Sequence, residues 1–193
     1  EREKDQSLYT YKIFSFGKVN GDKEFDFDYP NRDIESIGLI PGENNTMICT
    51  GFLKILNKGL FGKGKKTLIS DELFASVIDC KTSTLKSANK FELEGLYPEK
   101  PKKSQDYVPY KVKNIFSKPD GGSVLVAEQY KLVVHTHTTP QGTHTTYRYF
   151  YCDIAVIHIN GKAEVESVSK MPKYQLNAGN PSILATYYNG NTY

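Results

Sequence analysis

Three histidines sit around one turn. His135 and His137 precede Thr139, Pro140, Gln141 and Gly142, and His144 follows them. Proline suits the first corner of a type I turn and glycine a left-handed bulge residue after it, so the chain should double back here as a hairpin. Centred on that turn, His137 opposes His144 and His135 opposes Thr146, which puts three imidazoles on one face. Imidazole binds zinc, copper and nickel alike. A divalent cation held by His135, His137 and His144 is one reading of this face, and a row of solvated histidines at an exposed tip is the other.

The same register carries inward and sets Glu128 opposite Asp153. Two carboxylates facing each other across a ladder repel. A bound cation such as calcium could compensate, as could a shared proton or a β-bulge that parts them, so Glu128 and Asp153 are a second candidate metal site. On the face opposite the histidines Val134 meets Tyr147, Leu132 meets Tyr149 and Tyr130 meets Tyr151. That aliphatic and aromatic ladder is reason enough for the hairpin to be long. Lys131 and Arg148 fall on the histidine side.

No catalytic motif survives inspection. Cys152 and His158 lie six residues apart on one strand, about 20 Å at 3.3 Å per residue, too far for the hydrogen bond of a thiol and its base. Gly59, Gly64 and Lys65 have the spacing of a phosphate-binding loop. Lys66 stands where a hydroxyl is required, Thr67 comes one place late, and a strand follows where the motif needs a helix, so a basic hairpin loop is expected. With no serine triad motif or pair of carboxylates on a helix, the chain reads as a non-enzyme without a cofactor other than a divalent cation.

These side chains hang on a repeated pattern of strands, and such self-similarity sets architecture before anything else. Asn44 to Phe52 returns as Gly121 to Gln129, and Phe74 to Cys80 returns as Asp153 to Ile159. Each unit parses as four strands: 34–40, 46–56, 72–80 and 85–92 in the first, 110–116, 123–137, 145–159 and 163–171 in the second. Pro41-Gly42 and Pro119-Asp120-Gly121-Gly122 mark the same reversal in both. Residues 9–28 look like the end of a preceding unit and residues 181–193 like the start of a following one. The expected fold is therefore all-β, of antiparallel four-stranded repeats with units at 34–95 and 107–173. β-propeller blades in a partial ring, or an open β-sandwich, would accommodate them, as a single domain over 1–193 or as a segment of a larger propeller completed by further blades or by a partner's strands.

Composition narrows the partners. Among 193 residues a net charge of +3 is too small and dispersed to imply nucleic acid. No run approaches the ~18 apolar residues of a membrane span, and the charged start, Glu1-Arg2-Glu3-Lys4-Asp5, has no signal-peptide core. The lysines of 58–66 and 99–103 fall in predicted loops, where solvated charge is the ordinary outcome. Three cysteines cannot all pair and lack metal or redox spacing. Aligning the units puts Cys49 at Val126 and Cys80 at Ile159, so both are expected to be buried, reduced thiols.

The order Asp120-Gly121-Gly122 … Ala127-Glu128-Gln129-Tyr130, a Thr/Tyr-rich hairpin, Tyr151-Cys152-Asp153-Ile154, Asn160-Gly161-Lys162 and Lys170-Met171-Pro172-Lys173 resembles a group of uncharacterised exported β-propeller-like proteins. These belong to envelope-bearing bacteria related to gliding and gut species. The resemblance is best over 113–173. Ser167 stands where such blades carry tryptophan and Cys152 where they carry asparagine, and the histidines have no counterpart there. The resemblance implies an exported protein of the periplasm or cell surface, associated with the outer membrane, with a lipid anchor upstream. The expected function is then a scaffold or interaction subunit with a protein partner in an outer-membrane assembly. A glycan- or metal-binding module using the His/Tyr-rich hairpin is the alternative, and a hydrolase on a propeller the third reading.

Overall fold

The computed structural model describes residues 11–15, 21–27, 29, 32–58, 65–92, 96, 108–176, 185, 187–188 and 191–192. All regular structure among them is antiparallel β. A short hairpin pairs β1 (Tyr11–Ser15) with β2 (Lys23–Phe27). A four-stranded meander follows: β3 (Arg32–Pro41), β4 (Thr46–Lys58), β5 (Lys65–Asp79) and β6 (Thr84–Glu92). A second has β7 (Tyr110–Ser117), β8 (Ser123–Thr139), β9 (Gly142–Ile159) and β10 (Val165–Met171) in the same order. To its β9 is added β11 (Gln175–Leu176), and β12 (Tyr187–Tyr188) pairs with β13 (Asn191–Thr192).

Strict alternation explains how each sheet packs on both sides. In β4 and β5, Phe52, Leu73, Ala75 and Val77 point to one face, and Cys49, Leu53, Phe74 and Ile78 to the other. The first set meets Leu125, Ala127, Ala155, Ile157 and Ile159 of the second sheet, with Phe52 stacked on Tyr110 at 5.7 Å between ring centroids. The second set is covered by Ile13 of β1 and by Tyr29. On its far side the second sheet turns Val124, Val126 and Val156 toward Ala185. Among the described residues, Ile13 and Tyr29 thus lie on the outer face of the first sheet and Ala185 on that of the second.

The first strands of the two sheets approach most intimately. Val112 N donates to Ser36 Oγ at 3.0 Å, Ser117 Oγ to the Pro41 carbonyl at 3.2 Å, and Lys111 Nζ to the Glu35 carbonyl at 3.1 Å. Gly38 makes this possible, because a Cβ there would already stand 3.2 Å from Ile115 and Val112 side-chain atoms. Toward the other edge, Asn89 Nδ2 of β6 donates to the Ala163 carbonyl at 2.9 Å, and Lys170 Nζ to the Leu96 carbonyl at 3.0 Å.

Strand order agrees with expectation, but the match between the sheets shifts by one residue. The first hairpins close through Gly42 N to Thr46 O and Lys118 N to Gly122 O, which places Cys49 on Leu125 rather than Val126. A one-residue slip exchanges the faces of a strand. Cys49 is fully buried either way. Cys80 falls beyond the end of β5 in a turn and is only half-buried, so its expected core position is corrected. Cys49 faces Ser76, and Cys80 N donates to the Asn45 carbonyl. Several strands outrun their expected bounds, β5 beginning at Lys65 rather than at 72, whereas β10 begins at Val165 rather than at 163. Of the loop resembling a phosphate site, residues 59–64 lie outside the described residues, as do residues 1–5, 99–103 and 181–184.

Cys49 and Tyr29 give the first core an alkaline limit. Burial pushes the Cys49 thiol from 9.0 up to about 12 and the Tyr29 phenol from 10.0 up to about 12. Above pH 9 the unfolded chain releases these protons while the folded one keeps them, so stability falls as pH rises from 9 toward 12. Urea unfolding between pH 8 and 11 should show this decline. Cys49→Val, which removes the titrating thiol at similar volume, should hold its stability further into that range. An unchanged pH dependence would show that the thiol does not titrate against burial.

Candidate functional site

Beyond the body of the second sheet, β8 and β9 continue as a two-stranded ribbon. Its register is the expected one: Tyr130 pairs with Tyr151, Leu132 with Tyr149, Val134 with Tyr147, His135 with Thr146 and His137 with His144. Threonine pairs pin it to the tip, with Oγ atoms 3.4 Å apart at Thr136 and Thr145 and 3.3 Å apart at Thr138 and Thr143. Thr139 Oγ1 donates to the Gly142 carbonyl at 3.1 Å and accepts from Gln141 N at 3.3 Å. Thr139 pairs directly with Gly142, so the expected bulge after the turn is absent. Glycine is still required, because its φ is +140°.

One face of the ribbon is apolar and open to solvent. Leu132, Val134 and Tyr147 are 41%, 49% and 56% exposed. The other face carries Lys131, His135, His137, His144 and Arg148. Neither strand holds an acidic residue from Gln129 through Cys152. That asymmetry was present in the sequence.

The base of the ribbon corrects one expectation. Glu128 pairs with Ile154, not Asp153, because Gln129 on β8 is opposed by two residues, Cys152 and Asp153, on β9. This bulge parts the carboxylates, and lysines engage both. Glu128 is fully buried, with Oε1 2.5 Å from Lys173 Nζ. Its Oε2, 3.1 Å from Lys113 Nζ, is held by charge rather than by a formed hydrogen bond. Asp153 Oδ2 lies 2.7 Å from Lys170 Nζ, and its Oδ1 accepts from Lys173 N at 3.1 Å. Glu128 and Asp153 are thus each engaged by lysine and do not face each other across the ladder.

Lys113 and Lys173 were missed in the sequence, yet they anchor the ribbon. Lys113 Nζ lies 5.6 Å and 5.7 Å from the ring centroids of Tyr130 and Tyr151, and Lys173 Nζ lies 5.9 Å from that of Tyr151. The two rings are 5.2 Å apart. Cation–π attraction of this kind contributes about 0.5–1 kcal/mol at an exposed site and more when desolvated. Lys173 also leads into β11, which pairs with β9 at Tyr151 and Phe150. Carboxylate, lysines and tyrosines together fasten the exit segment to the root of the arm.

Cys152 sits in the bulge, where burial first, and then the negative charges of Asp153 and Glu128, push its thiol above the ordinary value. A nucleophilic cysteine needs the opposite shift. His158 lies further along the same strand, paired with Val124. Among the described residues no three His, Cys, Asp or Glu side chains converge as a metal-holding group; His137 and His144 are directly opposed, and His135, two residues before His137, is opposite Thr146. No described helix is long and apolar enough to cross a membrane.

Thiol labelling of the folded chain should separate the three cysteines. Cys80 should react first, Cys152 more slowly and Cys49 only on unfolding, as judged by mass spectrometry of peptides after timed quenching. Labelling of Cys49 at the rate of Cys80 would show that the face between β4 and Tyr29 is open.

Comparison with protein-family models, with curated proteins and with solved structures finds no match to this chain.

Proposed function

We propose that this chain is a non-enzymatic, extracytoplasmic β-repeat module whose β8–β9 ribbon is an arm that docks on a protein partner of an outer-membrane or cell-surface assembly. One observation carries the reading: an in-register ribbon, fastened at its root, that holds Leu132, Val134 and Tyr147 out to solvent. The cross-strand ladder stabilises the ribbon, and it also leaves an apolar, aromatic row open to solvent, of the composition in which interface cores are enriched. The blade-like reading of the sheets is supported by their sequential meanders, by apolar residues on both faces of each sheet and by the close approach of β3 and β7. Radially packed blades need all three. The extracytoplasmic placement rests on the resemblance over residues 113–173.

Val134→Asp combined with Tyr147→Ser tests the arm. Both side chains are exposed, so melting temperature should stay within about 2 °C of wild type, while co-purification of the partner from the native envelope fraction is lost. Retention of every co-purifying protein by this variant would refute docking through the ribbon. A glycan ligand is the second reading, favoured by the Tyr147 and Tyr149 rings on one face, and binding of isolated envelope polysaccharide without any protein would select it.

A further inference from the structure

The opposed pair His137 and His144 goes beyond this reading. We propose that the two imidazoles chelate a late divalent transition metal, copper(II) most tightly, across the tip of the ribbon. Side chains directly opposite on an antiparallel ladder have Cβ atoms about 4.5–5.5 Å apart. Rings reaching from both strands can therefore converge on one ion at the ~2 Å typical of metal–imidazole bonds. The register that aligns them is held from the other face by the Thr136–Thr145 and Thr138–Thr143 contacts, so the two strands are in register before the ion arrives. Fixing two donors makes the second bond intramolecular, which raises affinity well above that of a lone surface histidine.

Charge does not oppose the ion. The cations on this face are Arg148, opposite Val133, and Lys131, opposite Phe150. Val133 is four residues from His137, or about 13 Å along the strand, beyond the ~8–10 Å over which exposed charges act at ordinary salt. No carboxylate lies on the ribbon to recruit calcium or magnesium, and imidazole suits zinc, nickel and copper instead. His135 is on the same face but opposite Thr146, which leaves a two-nitrogen site completed by water.

Calorimetric titration of the purified chain with copper(II), nickel(II) and zinc(II) salts tests the site. One ion per chain is expected, with copper tightest. His137→Gln and His144→Gln should each weaken copper binding about tenfold or more, as loss of a chelate does. The double variant should add little to either, and His158→Gln, on the body of the sheet, should leave the titration unchanged. In NMR spectra, copper(II) should broaden the imidazole resonances of His137 and His144 before those of His135 and His158. Equal affinity in wild type and the double variant, or an equal loss in His158→Gln, would overturn the proposal. So would broadening that starts at any other histidine.

Discussion

Replacing Gly51 by alanine is expected to cost about 3 kcal/mol or more, at the upper end of what overpacking does. The added Cβ would overlap the Ser36 carbonyl oxygen and stand 2.9 Å from the Ile37 Cα. Both are backbone atoms of β3, so no change of rotamer relieves the clash and the strand itself must move. The bulge between Ile34 and Ser36 brings that carbonyl over Gly51. β3 is also the strand that packs on β7, so its displacement loosens both sheets. For a chain of this size the melting temperature should fall by roughly 6–12 °C, read by circular dichroism. Melting within about 2 °C of wild type would show that β3 and β4 do not pair in this register.

Glu128→Ala is the second large effect, expected to destabilise the fold by about 3 kcal/mol. Removing one partner of a buried ion pair costs about 3–5 kcal/mol because the other charge is left uncompensated. The low end applies because Lys113 and Lys173 keep 23% and 17% of their side chains exposed and can turn partly to water. Replacing all three, as Lys113→Met, Glu128→Leu and Lys173→Met, should recover most of the loss, since an apolar set of similar volume often equals a buried ionic one. Urea unfolding of the single and triple variants measures both. If the triple variant is less stable than Glu128→Ala, the cluster is not a closed charge balance.

Consequences for the arm follow from the same cluster. Lys113 and Lys173 lie against Tyr130 and Tyr151, so releasing them frees the root of the ribbon. Glu128→Ala should therefore weaken partner binding even though Glu128 is buried far from the tip. The triple variant, which keeps its shape but loses the cation–π contacts, should fall between.

The ribbon was legible in the sequence because its information is local. Thr139-Pro140-Gln141-Gly142 fixes the reversal, and from there pairing runs outward with period two, which set every cross-strand pair from His137–His144 to Tyr130–Tyr151 correctly. It failed one step further in. No propensity marks a bulge opposite Gln129. It exists because Ala155, Ile157 and Ile159 must point into the core between the sheets while Tyr151 stays in line with Tyr130. Burial on a second sheet decides that, and a single strand does not display its neighbour. Cys80 escaped for a related reason: strand-like composition runs on past Asp79, but the turn held by Asp79 Oδ1 through Lys81 N and Thr82 N, at 2.8 Å and 3.1 Å, ends the ladder first. Lys113 and Lys173, distant in sequence from Glu128, become partners only once β7 and the exit segment are in place.

Site-specific photo-crosslinking tests most directly the claim that the chain acts through the apolar face of this ribbon. A photoreactive residue is placed at Val134 in one variant and at His135, on the opposite face of the same strand, in another, and each is irradiated in the cells that produce the protein. The expected result is a discrete crosslinked protein from Val134 that is absent or much weaker from His135. Equal products from both faces, or none from Val134 while the folded chain is present, would contradict it.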